Sequence, residues 1–302
     1  MAIRASMHVV GGVLLEKLLD GDGGYRGPRI DCGQGHQATF VDYRSKNILT
    51  VLSQAKIRRA YYHCAGCQQG QVPKDRELDI VATSFSPGVR RLMGRVGSKE
   101  PFDEARADLE ALAGIVVNTK QIERISEQLG EQVESIARRE RRTVLSGKIV
   151  LPGAVPKMYV AVDGTGVPMV PRETQGRPGK DESGLAKTRE GKLGCVFTQT
   201  ALDEDGYPVR DPGSTTYVGA IEAAQQFGER IFTEAIRRGL RQAVMHIVLG
   251  DGAPWIWNLA AEHFPGAIEI VDLYHAREHL QDLAKILYSP LQAKPWADQR
   301  IE

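Results

Sequence analysis

"MYVAVDGTGVPMV", residues 158–170, alternates apolar and small residues and then runs into an aspartate, Asp163. A period of two with β-branched and aromatic residues predicts a strand whose end carries that carboxylate. Reading onward, "KLGCVFTQTALDEDGYPV" (192–209) predicts a second strand with a turn at DEDG, and "STTYVGA" (214–220) a third, shorter one. "AIEAAQQFGERIFTEAIRRGL" (220–240) has the spacing of a long amphipathic helix. "AVMHIVLGDGAPWIWNLAAEHFP" (243–265) reads as a strand ending at Asp251 and then a helix. "AIEIVDLYHAREHLQDLAKILY" (267–288) repeats that form with Asp272 at the strand's end.

Three antiparallel-like strands, a helix, and two strand–helix units predict an α/β fold of RNase H-like order over 151–302: a mixed sheet with flanking helices. In that order Asp163 sits on the central strand and Asp251 ends the strand beside it, so both carboxylates face one edge of the sheet. Hard oxygen donors suit Mg²⁺ or Mn²⁺. Two such ions about 3.5–4 Å apart can serve phosphoryl transfer. Asp–Gly is also a common turn dipeptide, so each Asp alone says little. The pair is informative because each ends an apolar strand. Gly164 and Gly252 are expected to leave room for a nucleic-acid backbone.

The 302 residues include 42% apolar and 25% charged side chains, the balance of a soluble globular protein. No apolar run reaches membrane-spanning length, and the first 24 residues are too interrupted by charge for a signal peptide. The expectation is a cytoplasmic protein, whose four cysteines are metal ligands or buried thiols. Net charge is +1, but residues 1–155 hold 23 Lys+Arg against 18 Asp+Glu, and residues 156–302 hold 16 against 20. Both imbalances are too small to identify a partner.

Within the first half, residues 1–25 predict one helix ended by the glycine-rich "DGDGGYRGP". Residues 26–82 contain Cys64-x-x-Cys67, a knuckle that lets two thiolates reach one tetrahedral ion. Cys32 and His36 are the nearest suppliers of a second pair, with Gln34 between them, so the segment reads as zinc-ribbon-like with Zn²⁺ on Cys32, His36, Cys64 and Cys67. The competing reading is a ribbon that has lost its zinc. A redox Cys-x-x-Cys lacks its βαβ surroundings. His63 is expected on a strand surface. Residues 83–150 turn helical, with Phe102, Ala105, Leu109 and Leu112, then Ile122, Ile125 and Leu129, at helical spacing. "AGIVVN" (113–118) ends with Asn118, an N-cap for the next helix. This arrangement predicts either a helix-turn-helix-like DNA-binding module or a small bundle joining two domains. "GKIVLPGAVP" (147–156) reads as the linker.

Several longer stretches resemble the bacterial insertion-sequence transposases of the ISKra type, a group with a DDE-type, RNase H-like catalytic core: "RRAYYHCAGCQQG", "TSFSPGVRRLM", "VAVDGTGVP", "GKLGCVFTQTALDEDGYPVRDPGSTTYVGAIEAAQQFG", "VLGDGAPWIWNLAAEHFP" and "IVDLYHAREHL". They run from about residue 30 to 288. The resemblance implies DNA cleavage and strand transfer on double-stranded DNA (terminal repeats and target), with Asp163 and Asp251 as the first two acidic residues of a triad and a homodimer as the active form. It implies a third carboxylate on a later helix, beyond residue 302, so the expectation includes a catalytic core shortened at its C-terminus. The alternative is then a catalytically inactive DNA-binding remnant.

"IVDLYHAREHL" (270–280) also holds His275, Glu278 and His279 in the order of an inverted zinc protease motif. That rival needs a further ligand downstream, and no His or Cys follows His279. Asp272 and His275 are better read as supporting the paired aspartates, with Glu278 a stand-in for the third carboxylate. Trp255 and Trp257 are expected to pack a helix on the sheet, and Cys195 to be a buried strand residue. The segment 177–192 reads as a basic loop whose Arg177, Lys180, Lys187, Arg189 and Lys192 can neutralise phosphates.

Overall fold

The computed structural model describes residues 2–147, 153, 155–179 and 184–301. Most of the expected linker lies outside them. The chain forms two compact units, Met1–Ile136 and Ala137–Glu302.

The first unit begins with α1 (Ala2–Asp20), followed by an antiparallel sheet of β1 (Arg29–Asp31), β2 (Gln37–Leu49), β3 (Gln54–Cys64) and β4 (Gln69–Gln71), paired in that order. The long β2–β3 hairpin serves two small cores, one on each face. Ala60, Tyr62 and Cys64 pack with Cys32 and Ala38, whereas Ala55 and Ile57 pack with Ile48 and Ile80. Side chains alternate along β3, so these sets must lie on opposite faces. A bulge in β2 makes this workable: the register shifts between Phe40↔Tyr62 and Asp42↔Tyr61. The extra residue, Val41, turns the rest of β2 over, so Ile48 joins the second core and not the first.

After α2 (Pro73–Glu77) come α3 (Pro87–Gly97), α4 (Phe102–Asp108) and α5 (Thr119–Leu145). Val89, Met93, Ala105, Leu109, Ile122 and Ile125 form their shared core. Asn118 caps α5 as expected, and reciprocally. Its Oδ1 accepts the Gln121 N–H at 2.8 Å, while Gln121 Oε1 accepts the Asn118 N–H at 2.9 Å. Leu112 departs from its expected inward place and is 72% exposed. Residues Leu109–Ala113 form a wide π-type turn, which changes the rotation per residue and carries Leu112 off the apolar face. The break between units falls inside α5, not near residue 150, because Val144 at its far end packs into the second unit's core.

The second unit holds β5 (Lys157–Pro168), α6 (Pro171–Thr174), β6 (Thr188–Thr198), a small hairpin of β7 (Ala201–Leu202) and β8 (Pro208–Val209), and β9 (Thr216–Ala220). Then follow α7 (Ala224–Arg237), β10 (Met245–Gly250), α8 (Pro254–His263), β11 (Ile268–Val271), α9 (Leu273–Leu287) and α10 (Pro290–Ile301). The five-stranded sheet runs β11-β10-β5-β6-β9. β5, β6 and β9 pair antiparallel, while β5, β10 and β11 are parallel. The result is a mixed sheet with flanking helices, as expected.

Met158, Val160 and Val162 point alternately to one face, where they join Val196 and Val248 against Phe227 and Ile231 of α7 and Ile256 and Leu259 of α8. Gly250 permits that approach, since a Cβ there would stand 2.7 Å from Ile256. Trp255 and Trp257 are partly buried against the same core, as expected. The other face carries Tyr159, stacked on Phe197 at 5.0 Å.

Phe227 is fully buried and meets Trp255 edge-on. Phe227→Ala should lower the unfolding free energy by about 3–5 kcal/mol in urea titrations followed by tryptophan fluorescence. Tyr207→Ala, at an exposed site, should stay within about 0.5 kcal/mol of the parent. Equal losses at both positions would contradict this core.

Candidate metal centres

Strand register sets the first centre. β5 and β10 run parallel with Leu249 level with Ala161, so Asp251 stands level with Asp163. β10 and β11 pair with Gly250 level with Val271, and Gly250 accepts the Asp272 N–H at 2.8 Å. Three aspartates therefore share one level across three parallel strands.

Each is held differently. Asp163 lies within β5, beside Leu193 of β6, and accepts its neighbour Gly164's N–H at 2.7 Å. Asp251 follows the last residue of β10. Its carboxylate accepts the Ala253 N–H at 2.8 Å, closing a turn in which Gly252 takes φ 98° before Pro254 opens α8. Asp272 caps α9, with Oδ1 accepting the N–H groups of Tyr274 (2.8 Å) and His275 (3.3 Å). Capping is thus part of its role, and it also fixes the turn that carries His275. Oδ1 of Asp272 lies 3.4 Å from His275 Nδ1.

Ligand atoms of Asp163, Asp251 and His275 all lie within 4.8 Å of one another, a group able to hold a cation. They line a cleft of about 170 Å³ with Asp272, Ala161, Leu193, Cys195 and Tyr217. Cys195 is half-buried and not a core residue. Burial pushes its thiol above the usual range, opposed by the charge of Arg210.

The other expected residues fall elsewhere. Glu278 is exposed on α9 and is not among the groups brought together, so it does not stand in for a third carboxylate here. Among the described residues, His275, Glu278 and His279 form no metal-holding cluster, which removes the geometric basis of the protease reading. Arg177 and Lys187 are exposed, and Lys180 lies outside the described residues. Arg189 and Lys192 belong to β6, not to a loop. Arg189 reaches Glu173 at 3.8 Å. Lys192 is only 6% exposed, pairs with Glu190 and sits 5.0 Å over the Trp255 ring, so its charge is not offered to phosphates. The expectation for Gly164 also changes. A Cβ there would meet Glu190 at 2.7 Å and Trp255 at 3.4 Å, so its small size accommodates this packing.

The second centre lies on the first unit. Gly33 and Gly35 take left-handed φ of 80° and 77°, and the Cys32 N–H donates to the His36 carbonyl at 3.0 Å, which folds that pair into one turn. Cys64 ends β3, and Gln68 at φ 54° turns the chain into β4, leaving Cys67 on the knuckle. The His36 ring lies over Gly66, where a Cβ would be 2.9 Å away. Cys32, His36, Cys64 and Cys67 present ligand atoms within 4.8 Å of one another, in the combination expected. Gln34 is outside the group, and His63 stays within β3, paired with Thr39 and Gly70.

Cys64 and Cys67 influence each other's protons. The backbone N–H of Cys67 lowers the pKa of Cys64. Hydrogen bonding to Cys64, then burial, pushes Cys67 up to about 11. A cation would compete with these protons, since the thiolate is the metal-binding form of cysteine.

Set against known protein families and curated proteins, the chain matches none of them. No described helix is long and apolar enough to cross a membrane.

Asp272→Ala removes the cap of α9 and should cost about 1 kcal/mol in urea unfolding, with Asp272→Asn losing less. No loss in either variant would mean that the cap contributes nothing to this helix.

Proposed function

We propose that this chain is a DNA transposase with an RNase H-like core, acting on phosphodiesters with a divalent cation held by Asp163 and Asp251. One observation carries the reading: two carboxylates stand at the same level of adjacent parallel strands, their ligand atoms within 4.8 Å of each other and of His275. The strand order β11-β10-β5-β6-β9, antiparallel on one side of β5 and parallel on the other, supports the RNase H-like assignment. The likeness of the long motifs to ISKra-type transposases supports the substrate, DNA.

The donors fit Mg²⁺ or Mn²⁺, being carboxylates in an open cleft where phosphate and water can complete the coordination. When bound, such an ion supplies Lewis acidity at a phosphodiester oxygen and lowers the pKa of an attacking hydroxyl. Asp163 and Asp251 hold it at a defined point, since a turn or a neighbouring N–H restrains each carboxylate. Arg177, exposed beyond β5, is a cation offered to the DNA backbone. Homodimerisation follows from the need to bring two element ends together.

The thiolate-rich group on the first unit suits Zn²⁺ as a ribbon site. A tetrahedron with Zn–S bonds of about 2.3 Å has edges of about 3.8 Å, compatible with the observed spread. Its role is to order the knuckles of a unit whose cores are small.

On terminal-repeat DNA, the protein should nick in the presence of Mn²⁺, and Asp163→Asn or Asp251→Asn should reduce nicking by at least about a hundredfold. DNA binding without any nicking would instead favour the inactive DNA-binding remnant. Elemental analysis should find one zinc per chain, lost in Cys64→Ser, with chelation lowering the melting temperature. A chain that melts identically with and without zinc would exclude a structural zinc.

A further inference from the structure

We propose that His275 is a direct ligand of the ion held by Asp163 and Asp251, and that this nitrogen donor makes the site prefer Mn²⁺ and other first-row divalent ions over Mg²⁺. The inference rests on the reading that these two aspartates bind a cation.

The third ligand atom within 4.8 Å of the two carboxylates belongs to an imidazole, and among the described residues no third carboxylate shares that group. Asp272, at the same sheet level, has one oxygen committed to the backbone of α9. Glu278 points its charge to solvent. His275 Nδ1 is buried from solvent and makes no hydrogen bond, yet it lies 3.4 Å from Asp272 Oδ1. A ring that stands beside a carboxylate is restrained in how it can turn, as neighbouring carboxylates restrain metal-bound histidines. Asp272 is therefore a positioning residue. It holds the first turn of α9 by capping, and its carboxylate stands 3.4 Å from the His275 ring nitrogen.

The ligand type decides which ion wins. Mg²⁺ is small and hard, takes oxygen almost exclusively, and gives up water reluctantly. Imidazole suits first-row transition ions, whose affinities for such sites rise from Mn²⁺ through Fe²⁺ and Co²⁺. Two carboxylates and one imidazole thus form a mixed set in which replacing water by nitrogen benefits Mn²⁺ and brings Mg²⁺ little.

The test uses the full chain with its cysteine cluster loaded with zinc, and Mn²⁺ alone as the probe. Mn²⁺ titrations by electron paramagnetic resonance, with and without competing Mg²⁺, should show a clear Mn²⁺ preference. Pulsed spectra should show ¹⁴N coupling on the bound Mn²⁺. His275→Ala should abolish that coupling, weaken Mn²⁺ by about tenfold or more and leave Mg²⁺ nearly unchanged. His275→Gln, which keeps the side chain polar, should behave the same way, and circular dichroism establishes that both variants fold. Mn²⁺ bound in a manner that needs Asp163 and Asp251 but lacks nitrogen coupling would overturn the role of His275 and leave the carboxylate site standing. Mn²⁺ binding unaffected by Asp163→Asn and Asp251→Asn would overturn both.

Discussion

Everything at the acidic centre depends on the parallel pairing of β5 with β10. A shift by one residue would turn one carboxylate to the opposite face, because side chains alternate along a strand. The buried side holds the register: Val160 and Val248 stand level and both pack under α7 and α8. A slip would expose one of them. The apolar face that stabilises the sheet is thus also what aligns Asp163 with Asp251 on the open side. Gly250 belongs to the same constraint, since it lets Ile256 seat α8 immediately beside the strand end that carries Asp251.

Strand ends convert that alignment into usable ligands. β5 continues past Asp163, paired with β6 as far as Pro168, whereas β10 stops at Gly250. One aspartate is consequently fixed in a ladder and the other in a turn, and both carboxylates already accept a backbone N–H. α9 adds the imidazole. Its cap, Asp272, is itself held to β10 through its backbone N–H, which joins the helix start to the end of that strand.

The sheet of the first unit solves a different problem, that of folding with little core. Its hairpin spreads apolar residues over both faces, and the bulge at Val41 matches the two strands to that division. Two buried thiols sit in one of those cores. With Cys67 and His36 they form a group whose donors suit a cation, so that core and that candidate site share side chains.

The alternation in "MYVAVDG" and in "MHIVLGD" is a local signal, and it determined the strands, their order along the chain and the two aspartates that follow their apolar residues, but not that β5 runs on past Asp163 to Pro168. The Cys-x-x-Cys knuckle and the Cys32 and His36 pair were each legible as short-range spacings, and the folded sheet brings the two pairs together. Asn118 as a cap belongs with these. Pairing decided the rest. Lys192 looked like a loop cation, and only the ladder with β5 showed that β6 begins at Thr188 and buries it against Glu190 and Trp255. Leu112 fitted a regular helical period that a π-type turn interrupts. Glu278 and His275 are indistinguishable by type and spacing as supporters of the aspartates. Only their positions on α9 relative to the end of β10 bring one to the site and leave the other in solvent. Sequence carries what lies within a few residues along the chain, whereas ligand sets assembled from strands and helices far apart depend on register and burial, which exist only once the sheet has formed.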